Sequence, residues 1–206
     1  NRIEVLWDKK IAFQGTPEEM DRFDHPFRDE FARSLEGLEE ELTGLYSRRH
    51  FKVRYQSDLS NLNPNGTYAV AVFSVAEIDA ISQKVGSDVA QQMVRTLGSY
   101  ISKHFGAVGG FSSRQTINEY ATVLPNSNLE EAGRILADFT KDLQEHGMES
   151  IENLVKAGTS SQECYEFTIL GGLAQGNPQI ELESVMEFAR FKLEPIASFT
   201  CNIRRK

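Results

Sequence analysis

Residues 67–73 read Thr-Tyr-Ala-Val-Ala-Val-Phe, an unbroken apolar stretch rich in β-forming residues. Side chains of a strand alternate between two faces, so a run that carries no charge and is apolar from Ala69 to Phe73 needs cover on both. It is therefore read as a strand buried in the middle of a sheet, with helices packed on either side. Every other segment has to be placed around that strand.

The flanking patterns supply strands and helices in alternation. Ile3, Val5 and Trp7 alternate, Asp8-Lys9-Lys10 turns, and Ile11 and Phe13 alternate again, as in a short hairpin. Thr16-Pro17-Glu18-Glu19 is a helix start, with a capping threonine, proline at the first helical position and glutamate three residues after the cap. Pro26 interrupts the chain beside His25. Phe27, Phe31, Leu35, Leu38, Leu42 and Leu45 then step by three or four and predict a helix over residues 27–45. Two readings of that helix stay open: one packed on its own domain, and one that carries a signal or pairs with another copy. Residues 61–66 are a polar loop. Helices are expected at 77–85, 88–105, 129–146 and 182–193, and strands at 111–114, 120–124, 165–170 and 198–203. Gly109-Gly110 and Pro125 bracket the hairpin formed by 111–114 and 120–124. Strands alternating with helices, with one hairpin among them, imply a mixed sheet covered by helices, in the α/β (strictly α+β) class.

Composition narrows the function classes. The 206 residues are 40% hydrophobic and 25% charged, enough for one domain plus an extension. A net charge of -8 argues against a nucleic-acid-binding surface, which needs a basic face. Cys164 and Cys201 have neither metal-ligand spacing nor the density of a disulfide scaffold, and read as unpaired thiols in a reducing cytoplasm. No apolar run spans a membrane and no signal peptide opens the chain. It begins at Asn1 without a methionine, and so reads as a fragment of a longer cytoplasmic or membrane-anchored protein.

Glu41-Leu42-Thr43-Gly44-Leu45-Tyr46-Ser47-Arg48-Arg49-His50-Phe51 resembles the opening signature of the GGDEF family, the bacterial diguanylate cyclases. That signature runs Asp-x-Leu-Thr-Gly-Leu-x-Asn-Arg-Arg, with a phenylalanine two places later. Further landmarks fall in order: the strand from Tyr68 to Phe73, Gly86 and Asp88 of a Gly-His-Asp turn, Tyr120-Ala121-Thr122-Val123-Leu124-Pro125, and Phe167-Thr168-Ile169-Leu170-Gly171-Gly172-Leu173-Ala174. The resemblance covers residues 38–206 and leaves 1–37 as an N-terminal extension. It implies a ferredoxin-like nucleotide-cyclase palm with a central sheet of about five strands. Members join two GTP molecules held by the two subunits of a dimer, a phosphoryl transfer that relies on positioning and on magnesium ions bound by carboxylates.

The positions that should carry this chemistry hold other residues. Aligned on Gly86, the metal-binding Asp-x-Asp falls on Ser74 and Ala76, and the guanine-reading asparagine and aspartate fall on Ser82 and Gln91. Glu77 and Asp79 read as solvated first-turn acids of a helix rather than substitutes. The signature hairpin is Thr116-Ile117-Asn118-Glu119-Tyr120, in which both glycines have become β-branched and one metal carboxylate an asparagine. Glu119 alone remains. The phosphate-gripping lysine of the last helix aligns with Ala197, and the product-binding Arg-x-x-Asp with Ala107-Val108-Gly109-Gly110. Arg114 is read as a solvated edge residue, with a residual nucleotide contact as the alternative. His25, His50, His104 and His146 read as scattered surface histidines, and Gly171-Gly172 as a bend in a strand.

No catalytic, cofactor-binding or metal-ligating residue is therefore assigned, and no cofactor is expected. The expectation is a degenerate, catalytically inactive GGDEF-type domain that serves as a protein-interaction, dimerisation or regulatory module in bacterial signalling. Its partner is a protein or a second copy, docked through Ile117 and, less favoured, Tyr120. The alternative is a non-catalytic receptor for cyclic di-GMP or GTP.

Overall fold

The computed structural model describes residues 3–7, 10–16, 19, 37–61, 66–158 and 166–199. The chain divides into two compact units, Asn1–Glu39 and Glu40–Lys206. In the first, β1 (Ile3–Trp7) pairs antiparallel with β2 (Lys10–Gly15), with a register shift between Val5 and Leu6, as the alternation predicts. The capping pair is also present: the Glu19 amide donates to Thr16 Oγ1 at 3.2 Å and the Thr16 amide to Glu19 Oε2 at 2.8 Å. Residues 27–36 of the expected long helix lie outside the described residues, as do His25, Cys164 and Cys201.

That helix does not continue to Leu45. Residues 37–45 form turns and bends. The carboxylate of Glu40 accepts the amide and hydroxyl of Thr43 at 3.0 and 2.6 Å, and Gly44 takes a φ of +68°. The Glu40 amide then donates to the carbonyl of Leu45 at 2.7 Å, closing a reversal that no helix contains. Leu45 is buried all the same, so part of the leucine stripe reaches the core from a loop.

The second unit is built on β3 (Tyr68–Val75), all of whose residues except Ser74 are buried. After it come α2 (Ile78–Val85), α3 (Ser87–Gly106), β4 (Phe111–Arg114), β5 (Glu119–Pro125) and α4 (Leu129–Asp142). A π-helical turn, Leu143–Gly147, leads into α5 (Met148–Gly158), followed by β6 (Phe167–Gly176), α6 (Leu182–Phe191) and β7 (Glu194–Phe199). Helix α1 (Arg48–Asn61) precedes β3. The five strands lie in the order β4-β5-β3-β6-β7, the arrangement of a ferredoxin-like palm with one added strand.

The expected mixed sheet is instead antiparallel in every strand pairing. The helical crossovers do join parallel strands, but not neighbouring ones. β3 connects through α2 and α3 to β4 with β5 lying between, and β5 connects through α4 to β6 with β3 between. One isolated parallel bridge, Tyr46 to Ser113, extends the sheet beyond β4.

Alternate residues of β3 serve two cores. Ala69, Ala71, Phe73 and Val75 face α2 to α5, where Phe73, Phe105 and Phe139 pack with ring centroids 5.0–5.5 Å apart. Tyr68, Val70 and Val72 face α1 and α6, meeting Phe51, Tyr55, Val185 and Met186. Helix α1 was not among the expected elements, and three others differ from expectation in their bounds. The chain stays helical to Gly158 because Met148, Ile151 and Val155 keep the apolar spacing in a polar background. Strand β6 runs ten residues, straight through Gly171 and Gly172. Strand β7 begins at Glu194 rather than at Ser198. Among the described residues no helix is long and apolar enough to cross a membrane.

Candidate functional site

Three segments meet where β3 ends. The hairpin between β4 and β5 brings its tip there, and its backbone is tied to the strand by the Val75 amide, which donates to Asn118 O at 2.9 Å. The next amide, Ala76, donates to Thr168 O of β6 at 2.9 Å. The chain then turns at Glu77, a non-glycine residue with a φ of +57° that precedes α2. Ser74 sits opposite Glu119 in the β3–β5 register. The Asn118 amide nitrogen lies 3.5 Å from both Ser74 Oγ and the Val75 carbonyl, while its oxygen accepts the Thr116 hydroxyl at 2.9 Å.

Glu119 is held by α6. Arg190 donates through Nε to both carboxylate oxygens, at 3.2 and 3.1 Å, and through Nη2 to Oε1 at 2.9 Å. Its Nη1 donates to Glu183 in the first turn of the same helix, at 2.9 Å. These bonds to Glu119 and Glu183 hold the guanidinium firmly protonated against the opposing effect of burial. The cation that the last helix brings to the hairpin is therefore Arg190 and not Ala197, which is buried in β7.

On the other sheet face, the loop at 40–42 closes against α2 and α3 around a cavity of about 520 Å³. Leu42, Ile78, Ser82, Gln91, Arg114 and Ile117 are among its lining residues. Arg114 is no solvated edge residue. Its side chain is only 15% exposed, with Nη1 donating to Glu40 Oε1 at 3.1 Å and Nη2 to the Ile117 carbonyl at 2.9 Å. Its Nε is buried and, among the described residues, has no partner. Burial pushes the Glu40 carboxyl up, but the Thr43 hydroxyl and amide and the nearby guanidinium outweigh it, leaving the group below its ordinary range. Glu40 was missed in the sequence because an acid in an acidic run carries no signal of its own.

The hairpin residues part company. Tyr120 is wholly buried and donates its hydroxyl to the Val94 carbonyl at 3.0 Å, whereas Ile117 is 59% exposed at the tip. Desolvation drives the Tyr120 phenol well above its usual range. Positive φ values among the non-glycine residues described fall on Glu77 and Asn126 only, so the tip accommodates Thr116 and Ile117 without that strain. Gly86, with a φ of +95°, makes the α2–α3 corner, and Ala107 to Gly109 form the turn before β4. The histidines are not all scattered. His104 Nε2 and His146 Nδ1 lie 2.7 and 2.9 Å from the two oxygens of Asp142, which also accepts Lys103 at 2.8 Å.

The family model described as "Diguanylate cyclase, GGDEF domain" matches residues 39–189. The chain belongs to the GGDEF family. Solved GGDEF structures share its fold at low identity. The GGDEF domain of DgcB from Caulobacter crescentus, in complex with c-di-GMP, has a TM-score of 0.59 at 18% identity, over 75% of this chain and 84% of that one. The FimX GGDEF domain from Pseudomonas aeruginosa has 0.59 at 17% identity, over 75% and 90%. The diguanylate cyclase SiaD with its activator SiaC, also from P. aeruginosa, has 0.58 at 16% identity, over 85% and 64%. No curated protein matches the chain.

A GGDEF cyclase implies magnesium, and the donor set at this hairpin does not fit it. Magnesium takes hard oxygen ligands in near-octahedral geometry, usually with carboxylates among them. Here the strand end offers the hydroxyl of Ser74 and the methyl of Ala76, and Asn118 turns its N–H groups toward Ser74. The hairpin's own carboxylate, Glu119, has both oxygens bonded to a guanidinium. What the arrangement does supply is a hairpin whose acid is paired with an arginine, beside an open cavity.

Proposed function

We propose that this GGDEF domain is catalytically inactive and serves as a protein-interaction, dimerisation or regulatory module in bacterial signalling. In this reading residues 1–37 form an extension that passes a signal into the domain at 38–206, in the cytoplasm. The supporting observation is the commitment of Glu119, the acid of the hairpin, to Arg190. Two-metal phosphoryl transfer needs carboxylates free to bind cations, and an acid held on both oxygens by an arginine would have to break that pairing first. Incubated with GTP and magnesium, the chain is expected to form no cyclic di-GMP. Steady product formation that is lost in Glu119→Gln would overturn the reading.

Docking is assigned to the hairpin tip, where Ile117 presents an apolar side chain to solvent next to buried Tyr120. Ile117→Asp is expected to abolish self-association or partner binding, followed by sedimentation velocity, and to leave the circular dichroism spectrum unchanged. Unaltered association would remove this face from consideration.

The cavity between the 40–42 loop, α2 and α3 supports a second reading, a receptor for cyclic di-GMP or GTP. Among the described residues the side chains of Ser82 and Gln91 make no hydrogen bond, so both are available to a ligand. Micromolar binding in isothermal titration would establish this reading. Absence of heat at millimolar ligand would leave docking.

A further inference from the structure

We infer that Arg190 is the internal counter-ion of the hairpin, ordering the Thr116–Glu119 tip from within the chain so that no metal is needed to hold it. The inference rests on the reading of this hairpin as non-catalytic, and goes beyond it by naming the group that offsets the charge of its acid. A carboxylate at the tip of a β-hairpin needs a cation or water to offset its desolvation. Glu119 is only 16% exposed, and its offset is a planar guanidinium that reaches both of its oxygens.

The same guanidinium also binds Glu183, so one monovalent cation bridges two acids from different elements, as a divalent ion would. Glu183 and Arg190 are seven residues apart, two turns along one face of α6, which sets the distance between them. The helix is in turn fixed to the sheet by buried Val185, Met186 and Ala189. The counter-ion therefore comes with the fold and is present whenever α6 is docked. Replacing it by magnesium would mean breaking a forked ion pair to gain a ligand set of one carboxylate, one hydroxyl and an amide.

Hydrogen exchange of the amides of residues 115–119 tests this on the full 206-residue chain. In the wild type the rates are expected to be the same in EDTA and in millimolar magnesium chloride. Arg190→Ala should speed exchange about 10- to 100-fold, the loss expected for a charged hydrogen-bond pair. Arg190→Lys should fall between the two, because a lysine keeps the charge and loses the fork. Should Arg190→Ala fail to fold, Arg190→Lys with Glu119→Gln in a double-mutant cycle carries the same test. Slow exchange that requires magnesium and disappears in Glu119→Gln would overturn the inference, as would unchanged rates in the arginine variants. Cyclic di-GMP formation by the wild type is scored separately. It would sink the non-catalytic reading, while the magnesium dependence of the hairpin decides this one.

Discussion

Gly172→Val should lower the melting temperature of the domain by about 10 °C. A Cβ at residue 172 would collide with the carbonyl of Ala189 and come within 3.0 and 3.1 Å of backbone atoms of Lys192 and Leu193. These are main-chain atoms at the end of α6, so no rotamer change relieves the contact. The helix end has to move, and Arg190 moves with it. The cost should therefore be about 3 kcal/mol or more, at the upper end of overpacking penalties, or about 2–4 °C per kcal/mol for a domain of this size. Thermal unfolding followed by circular dichroism checks it. A shift of only a degree or two would mean that α6 is loosely held. Exchange at the hairpin should rise in the same variant even though residue 172 touches no hairpin residue.

Arg114→Ala should cost about 2–3 kcal/mol, somewhat less than the about 3–5 kcal/mol typical of a broken buried pair, because Glu40 is 27% exposed. Three things are lost together: the ion pair to Glu40, the bond to the Ile117 carbonyl and the cavity wall that the side chain provides. The pH dependence separates the first from the rest. The carboxyl of Glu40 lies below its ordinary range in the folded chain, so its contribution is fully present above the unfolded value. That contribution is lost as pH falls through the lower, folded one. Without Arg114 the folded value rises toward the unfolded one, and this part of the acid loss shrinks. Urea unfolding from pH 3 to 7 should thus show the variant and the wild type converging at the acid end. A penalty of equal size at every pH would assign the effect to packing alone.

How much of this was legible depended on which signal each element carried. The central strand was plain as an unbroken apolar run, the hairpin at its flank from its bracketing glycines and proline, and helices α3 and α6 from apolar residues at helical spacing. Helix α1 was not, since among its residues whose burial is described only Phe51 and Tyr55 are buried and no stripe emerges. The glycines of β6 hid a ten-residue strand: they look like a bend in one dimension, and in three they let Ile196 and the end of α6 approach. The leucine stripe through residue 45 misled in the opposite direction. Spacing alone does not report that Glu40, Thr43 and Gly44 form a hydrogen-bonded reversal.

The candidate site divides in the same way. The residue types at 74, 76, 116, 117 and 118 are visible in one dimension. Partnerships gained are not. Arg190 with Glu119, and Arg114 with Glu40, join residues 71 and 74 positions apart, and neither arginine differs in the sequence from a solvated one. Topology and helix docking decide which charges meet.

The margins of the sheet bear on how such a domain can assemble. Beyond β4 the amide of Tyr46 donates to the carbonyl of Ser112 at 3.0 Å, so a short strand of four residues already has its outer side capped by its own chain. At the opposite margin, β7 contains Pro195, which has no N–H to offer, at the point where the register of the β6–β7 pair shifts. Neither flank presents a clean ladder to an incoming strand. Among the described residues, both margins of this five-stranded sheet are therefore interrupted, which disfavours edge-to-edge pairing between copies of the domain.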